Sequence, residues 1–312
     1  MENLVVAFNC VLPAFVMLLT GYLAKRCGAV SEEIVPPLNR FCFTVLLSLY
    51  MFNNVYTADF DSAVSPGLIL FLLAQTLALF IGGFVIVSRR IEDGRRRGAY
   101  LQAAFRSNIA IIGLTLAQTL MDDAGTASMA VVITVLVPVY NMLAVIALES
   151  FGGTAVSVGR LVKSIFKNTL VIGSLLGLGF SVLRVPIPGA VMSALTSMGK
   201  AGTVLALITL GISFNFSALS GNWRQVLRLS ALRLVIIPAF TVGTGVLLGF
   251  RGNDLAVTML VSAAPMASTA FSMARMYDSD YELTGQVVVA TSFFCSLTLF
   301  VWIFLLKQTG LI

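Results

Sequence analysis

The sequence predicts an all-α polytopic membrane protein with ten transmembrane helices. We expect two inverted five-helix repeats, in which helices 4 and 9 are interrupted and cross each other. Of the 312 residues, 58% are hydrophobic and only 11% are charged, whereas a soluble domain carries about 25% charged residues. Apolar runs of about 20 residues, long enough to cross a bilayer, recur along the whole chain. Two of these runs carry polar residues together with glycine or proline near their midpoints.

Hydropathy places ten spans, separated by short polar loops that contain turn residues. The spans are residues 4–24, 36–57, 66–88, 97–121, 125–149, 164–183, 190–213, 225–249, 254–275 and 282–306. The longest connection, residues 150–163, divides the chain into a first repeat, residues 1–149, and a second repeat, residues 164–312.

The basic residues are distributed unevenly between the two sides of the predicted membrane. Fourteen of the 20 Lys and Arg residues fall on one side, three on the other and three within spans. Basic loops stay in the cytoplasm, so the loops after spans 1, 3, 5, 7 and 9 are expected there. This predicts a multi-pass protein of the cell inner (cytoplasmic) membrane, with both termini outside. The net charge of +6 then belongs to these loops and indicates no nucleic-acid partner.

Five spans per half is an odd number, so the second half must enter the membrane upside down relative to the first. Spans 4 and 9 therefore occupy the same position in each half and run antiparallel. Paired interrupted spans at matching positions are typical of inverted-repeat transporters. The repeat is visible in span order and polarity.

Span 4 carries Arg106, Asn108, Gly113 and Thr115 in its middle. Charged and polar groups at that depth are expensive, so they usually face a cavity or a pathway. Glycine lowers helix stability by roughly 1 kcal/mol relative to alanine, and a threonine hydroxyl can replace a helical hydrogen bond. We therefore expect a break near residues 111–115.

Span 9 carries Pro265, Ser268 and Thr269 in its middle. Proline lacks an N–H group and clashes with the preceding turn, so we expect a break over residues 265–270. The second half of each broken helix would begin with free N–H groups, which suit a carboxylate. If the breaks cross, both N-termini point into one small cavity. Ser48 of span 2 lies near mid-span and is a further candidate to face this cavity.

Several of these residues have a second interpretation. Proline and glycine also kink membrane helices that bind nothing. Asn108 and Asn141 are each either a ligand of the site or an interhelical hydrogen-bond donor. Arg106 either contacts a substrate or pairs with a helix C-terminus. Arg233 is expected to extend to the inner membrane surface, and Lys200 is ambiguous in the same way as Arg106.

Composition excludes several classes of chemistry. The chain has no histidine, and its four cysteines form no CxxC pair, so we predict no metal site, no cofactor and no disulfide framework. HExxH, GxGD and Ser–His patterns are absent, which argues against an enzyme. No Asp or Glu falls at mid-span, so proton coupling through a membrane carboxylate is not expected. The mid-membrane charges are cationic and favour an anion, and a carboxylate matches the geometry of arginine.

Four stretches carry a resemblance to a known family: FRSNIAIIGLTLAQ, LVPVYNMLAVIALE, MGKAGTVLALITLGISF and SAAPMASTAFSMARMYDSDYELTGQVVVATSFFCSLTLF. They resemble the auxin efflux carrier family, which includes bacterial malate and malonate permeases and the plant auxin carriers. The resemblance implies helices 4 and 9 crossing at the substrate site and an elevator-type movement. Helices 1, 2, 6 and 7 would form a scaffold, and helices 3–5 and 8–10 would carry the substrate. Plant relatives also suggest a possible homodimer through the scaffold helices.

By this resemblance Asn108 and Gly113 fall on the family's helix-4 asparagine and glycine, and Pro265 falls on its helix-9 crossover proline. The chain departs from the pattern at Thr115, where the family usually has proline, and at Ala270, where plant members have a second proline. The long central loop of the plant carriers is also absent. These differences favour a bacterial-type carrier of small organic acids.

The sequence therefore predicts a secondary transporter of small organic anions, mono- or dicarboxylates such as malate or malonate. Two alternatives remain open at this point. One is a sodium-coupled organic-anion symporter of the same architecture, and the other is a non-transporting sensor derived from a carrier.

Overall fold

A computed structural model describes residues 2–57, 65–152, 158–214 and 216–312. Within these ranges the chain is all helical, and its extended backbone is confined to loops, helix breaks and one isolated bridge. The first helices are α1 (Glu2–Arg26), α2 (Val35–Phe41), α3 (Leu47–Tyr56), α4 (Pro66–Arg90), α5 (Gly94–Phe105), α6 (Leu114–Leu120), α7 (Asp123–Phe151) and α8 (Val158–Lys167). The later helices are α9 (Thr169–Val182), α10 (Gly189–Ser213), α11 (Phe216–Ala231), α12 (Ile237–Leu247), α13 (Gly252–Ala263), α14 (Thr269–Met276) and α15 (Tyr281–Gln308).

Three π-helical turns and one 3₁₀ turn complete the described helices. The π turns are Cys42–Leu46, which joins α2 to α3, Ile109–Gly113, which leads into α6, and Leu232–Ile236, which joins α11 to α12; the 3₁₀ turn Glu32–Ile34 precedes α2. A π turn adds one residue to a helical turn, so it rotates the side chains that follow it, and such turns are frequent at functional sites.

Six of the described helical stretches are long and apolar enough to cross a membrane. They are Glu32–Tyr56, Pro66–Arg90, Asp123–Phe151, Gly189–Ser213, Gly221–Leu247 and Tyr281–Gln308. The expected polytopic, all-helical membrane protein is confirmed at this level.

The predicted sixth span, residues 164–183, starts too early. The helix α8 ends at Lys167, and Asn168 is extended, with φ −71° and ψ 121°. The side-chain oxygen of Asn168 accepts the N–H groups of Leu170, over 3.0 Å, and Val171, over 3.3 Å. This N-cap starts a new helix, α9, which has only 14 residues.

Glycines allow α1 and α10, and α3 and α9, to pack very closely. A side chain at Gly21 would collide with the carbonyl of Ile208, and one at Gly211 would collide with the carbonyl of Leu18. Gly173 of α9 meets the backbone of α3 in the same way. Small residues at helix contacts are how membrane helices gain van der Waals contact, so these four helices form one tightly packed group.

The centre of the second group of helices is α13. Every residue from Leu255 to Ala263 is buried, and so are residues 101–105 at the end of α5. Helices that are apolar and buried on all sides lie inside a bundle. The ends of α5 and α13 are therefore held in the interior of the protein.

Helices α5 and α6 form one broken helical pair, and α13 and α14 form the other. The ends of the two pairs that lie far from the breaks are also joined to each other. At one end, the side-chain amide of Asn253 donates to Asp122 over 2.7 Å, and the same oxygen accepts the Gly125 N–H over 2.8 Å. At the other end, Arg95 forms an ion pair of 2.8 Å with Asp278. The Gly125 N–H, and after it the Asn253 side chain, hold the pKa of Asp122 below its ordinary value.

Candidate functional site

The two broken helical pairs meet at residues 106–108 and 264–268, which we call the crossover. The N–H of Asn108 donates to the carbonyl of Pro265 over 2.8 Å, and the Ala267 N–H donates back to the first segment over 3.4 Å. These bonds form an isolated antiparallel bridge between the two segments. Each break therefore satisfies the backbone groups that the other leaves without helical partners.

The break in span 4 lies several residues before the expected position at 111–115. Gly113 is helical, with φ −61° and ψ −48°, and belongs to the π turn Ile109–Gly113. A side chain at Gly113 would meet the methyl group of Met129, so this glycine serves packing against α7. The chain leaves the helix at Arg106, with φ −92° and ψ 107°, because the partner segment supplies hydrogen bonds there.

The break in span 9 lies where proline chemistry predicts it. The helix α13 ends at Ala263, and Ala264 is extended, with φ −63° and ψ 148°. Pro265 has no N–H to lose, so the chain leaves the helix at little cost. Helical structure resumes at Thr269, the first residue of α14.

Arg106 is the charged group of the crossover, and its side chain is buried. The guanidinium donates to the side-chain oxygens of Gln102, over 2.9 Å, Asn141, over 2.8 Å, and Thr269, over 2.9 Å. It also donates to the sulfur of Met273. Among the described residues, no carboxylate forms an ion pair with this guanidinium. The positive charge is therefore held by neutral groups.

A cavity of about 40 Å³ lies beside the crossover and contains much of the predicted site. It is lined by Tyr50, Met51, Arg106, Ser107, Asn108, Ala110, Val137, Tyr140, Asn141, Thr203, Ala267, Ser268 and Thr269. A water needs roughly 10–15 Å³ by this kind of measure. The cavity therefore holds a few waters, or one carboxylate group.

The polarity of the helix ends favours negative charge in this cavity. The second half of one broken pair begins next to Asn108 and Ala110, and the other begins at Thr269, all three in the cavity wall. Helix N-termini carry a partial positive charge. Two N-termini and the Arg106 guanidinium thus converge on one small space.

The expectation that Arg233 extends to the membrane surface is wrong, since its side chain is buried. The π turn Leu232–Ile236 places its guanidinium at the crossover, away from the cavity lining. The guanidinium donates to the carbonyls of Ala264, over 3.0 Å, Ala104, over 3.3 Å, and Val261, over 3.3 Å. Arg233 therefore caps the C-terminal ends of both α5 and α13.

Four other predicted site residues either do not line the cavity or have a side chain that the structure does not describe. Pro265 forms the break at the crossover but does not line the cavity. Ser48 does not line the cavity: its hydroxyl donates to the Phe43 carbonyl over 3.3 Å, at the π turn. Gly113 packs against α7, as described above. Thr115 lies in the first turn of α6, and its side chain is outside the part of the structure that is described. Lys200 is exposed and does not line the cavity.

Tyr50 and Thr203 line the cavity without having been predicted. Tyr50 follows Ser48 by two residues, which is about 200° around a helix, so the two side chains leave α3 on opposite faces. Knowing the phase of α3 after its π turn would have been necessary to choose between them. Thr203 lies in α10, inside one of the stretches that carry the family resemblance, although nothing in its own context marked it.

Comparison with known proteins identifies relatives over most of the chain. The profile of a family described as membrane transport protein matches residues 6–303. An uncharacterized transporter of Methanothermobacter thermautotrophicus is 26% identical over 294 residues, covering 94% of this chain and 96% of the relative. An uncharacterized transporter of Methanocaldococcus jannaschii is 21% identical over 311 residues, covering 95% and 98% of the two chains.

A plant protein is similar over part of the chain. Auxin efflux carrier component 6 of Arabidopsis thaliana is 26% identical over 136 residues, which cover 41% of this chain and 23% of the plant protein. Together with the family profile, this similarity confirms the resemblance seen in the sequence. Proteins of this family are transporters and not enzymes. The chain therefore belongs to the auxin efflux carrier family of membrane transport proteins.

Proposed function

We propose that the protein is a secondary transporter that moves small organic anions, mono- or dicarboxylates of the malate or malonate kind, across the membrane. The observation that carries this proposal is the buried Arg106 guanidinium, which lines a cavity and has only neutral partners. A buried cation without a counter-ion is costly. A substrate carboxylate would supply that counter-ion and could accept two parallel hydrogen bonds from the guanidinium.

The neutral partners of Arg106 leave it free to exchange hydrogen bonds. The oxygens of Asn141 and Thr269 accept from one nitrogen of the guanidinium, and both residues line the cavity. A carboxylate that enters the cavity can accept a hydrogen bond from that nitrogen in place of Asn141 and Thr269. The Thr269 hydroxyl can then donate to the same carboxylate. Asn108 and Ser268, also in the cavity wall, supply further donors for the ligand.

The size of the cavity supports alternating access. One carboxylate fits in about 40 Å³, and the rest of a dicarboxylate needs the wall formed by Tyr50, Met51 and Thr203 to move away. That wall belongs to α3 and α10, which are part of the glycine-packed group. We assign this group to a scaffold formed by predicted spans 1, 2, 6 and 7. We assign the crossover to an elevator-type transport body formed by predicted spans 3–5 and 8–10.

The same proposal covers the arrangement in the membrane. We place the protein in the cell inner membrane as two inverted repeats, residues 1–149 and 164–312, with both termini outside, because of the uneven distribution of basic residues. A homodimer would form through the scaffold helices. Among the described residues no Asp or Glu is buried, so we propose no proton coupling through a membrane carboxylate.

The proposal is tested by thermal stabilisation of the purified protein in detergent. The panel contains mono-, di- and tricarboxylates, each with and without sodium. A ligand raises the stability by RT ln(1 + [L]/Kd), so weak ligands are visible at high concentration. We expect a sodium-independent shift with one class of carboxylate, absent in Arg106→Gln and retained in Lys200→Gln, which removes an exposed cation outside the cavity.

Other outcomes would contradict parts of the proposal. A shift that requires sodium together with a carboxylate would replace it with a sodium-coupled symporter. The absence of any shift, with folded protein and the full panel, would overturn the anion carrier and favour a sensor.

A further inference from the structure

The short helix α8 has two chemically distinct faces. Its sequence, VGRLVKSIFK, places apolar residues at five positions spaced as one face of a helix. The three basic residues, Arg160, Lys163 and Lys167, fall together on the opposite face, and the helix contains no acidic residue. A basic helix with a large apolar face is typical of a helix that lies in a membrane surface.

The structure leaves the outer part of the apolar face open. Ile165 packs against the core of the protein, whereas the side chains of Val162 and Phe166 are 47% and 61% exposed. Lys163 and Lys167 are exposed as well. One edge of α8 is therefore anchored in the protein, and the other presents two large apolar side chains next to two cations.

Two side-chain hydrogen bonds hold α8 in this orientation. The Ser164 hydroxyl donates to the carboxylate of Glu149 at the end of α7. Asn168, just after α8, donates to the hydroxyl of Tyr277 over 3.1 Å. The open face is thus fixed relative to α7 and to the end of α14.

The length of α9 indicates what covers this face. Its 14 residues span roughly 21 Å at about 1.5 Å per residue, less than the roughly 30 Å of a hydrocarbon core. The headgroup layer must therefore lie close to the start of α9, and Phe166 is only three residues before Thr169.

We propose that α8 is a docking surface for anionic lipids. Val162 and Phe166 insert at the boundary of the acyl chains, while Lys163 and Lys167 contact the phosphate groups of the lipid. Each basic residue near a membrane surface raises the local preference for anionic lipid roughly fivefold. This inference goes beyond the proposed transport function and does not depend on it.

The test uses fluorescence quenching in reconstituted vesicles. Phe166→Trp places a reporter on the open face, and the parent chain, with its two tryptophans, gives the background to subtract. Two vesicle preparations contain the same mixture of phosphatidylcholine and phosphatidylglycerol. In one preparation the phosphatidylglycerol carries brominated acyl chains, and in the other the phosphatidylcholine does. We expect a roughly fivefold or greater preference for quenching by the brominated anionic lipid, reduced to near unity by adding Lys163→Gln and Lys167→Gln.

Phe240→Trp is the matched control. Phe240 of α12 is 59% exposed and has no basic residue within four positions, so its reporter should be quenched equally by both lipids. Equal preferences at positions 166 and 240 would overturn the assignment to anionic lipid. Absence of quenching at position 166 would also overturn it and would point to a protein partner on this face.

Discussion

Arg106 and Arg233 are both buried and both lie at the crossover, yet their partners differ in kind. Arg106 donates to side chains, the oxygens of Gln102, Asn141 and Thr269. Arg233 donates to backbone carbonyls at the ends of α5 and α13. Side-chain partners can rotate toward a ligand, whereas helix-end carbonyls are fixed.

This difference in hydrogen-bond partners gives the two arginines different roles at the crossover. The C-terminal ends of α5 and α13 carry partial negative charge, and Arg233 neutralises it. The N-terminal ends that follow the breaks stay available on the cavity side, together with Arg106. Arg233 thus stabilises the break, and Arg106 is the arginine that we propose to bind an anion.

The largest effect is expected for Arg106→Gln. Truncating one member of a buried, hydrogen-bonded charge pair costs about 2–5 kcal/mol, so transport should fall by roughly 1000-fold. The neutral side chains around position 106 can repair their hydrogen bonds among themselves, and the melting temperature without ligand should hardly change. Uptake into proteoliposomes and thermal unfolding in detergent measure the two quantities. A variant that transports normally would remove Arg106 from the site.

Asn108→Ala tests the crossover from the cavity side, whereas Pro265 does not line the cavity and Pro265→Ala tests the break itself. At Asn108, a lost hydrogen bond to a charged ligand costs about 1.5–3 kcal/mol. At Pro265, alanine restores the N–H group and the ability to continue the helix, which disfavours the break. We therefore expect each substitution to abolish detectable uptake, a fall of roughly 100-fold, in a protein that remains folded. Size-exclusion profiles and circular dichroism serve as folding controls. Wild-type rates in both variants would be incompatible with a substrate site at the crossing helices.

Arg233→Gln should act on stability first. The change removes the Arg233 donor from the carbonyls of Ala104, Val261 and Ala264, although the Ser107 hydroxyl still donates to the last two. A carbonyl left unsatisfied costs about 1–3 kcal/mol. Removing the buried charge of the arginine offsets part of this cost, and we expect a net loss of about 1–2 kcal/mol. Thermal unfolding with Arg233→Lys as the matched control measures it, and the lysine variant should recover part of the loss. Unchanged stability in Arg233→Gln would show that the crossover does not need this cap.

The smallest effect is expected at Asp122, at one end of the broken pairs. Its pKa is lowered in the folded protein by the Gly125 N–H and the Asn253 side chain. A lowered carboxyl pKa contributes stability above the unfolded value, about 3.9, and this contribution is lost as the pH falls through the folded value. Asp122→Asn should therefore leave uptake unchanged and flatten the acid side of a stability–pH profile. A profile identical to that of the wild type would show that this bond contributes nothing.

The break in span 9 and the break in span 4 were not equally predictable. Pro265 marks its break by covalent chemistry, because a missing N–H is a local property. In span 4 the glycine at 113 suggested a break that the structure places at residues 106–108. That position depends on hydrogen bonds from residues roughly 160 positions away in the sequence, which local propensity does not report.

Arg233 and Ser48 show the same limit for single side chains. In the sequence, Arg233 looks like an arginine that reaches toward the membrane surface. Its actual partners are carbonyls at the ends of α5 and α13, and these carbonyls become available only because those two helices break. Ser48 lies at the right depth but on the wrong face, since the π turn Cys42–Leu46 determines the phase of α3. Depth along a helix can be estimated from sequence, whereas the direction of a side chain depends on local helical geometry.

The sequence by itself determined the membrane-protein class, the family, the proline break in span 9 and several residues that line the crossover cavity, namely Arg106, Asn108, Asn141, Ser268 and Thr269. These features follow from composition and local chemistry, which the chain carries wherever it folds. Only the tertiary structure decided the break in span 4, the partners of both buried arginines and the exclusion of Ser48 and Gly113 from the cavity. Those features depend on backbone groups exposed where two distant helices cross, and an unpaired buried group takes its partner from whatever packing brings near.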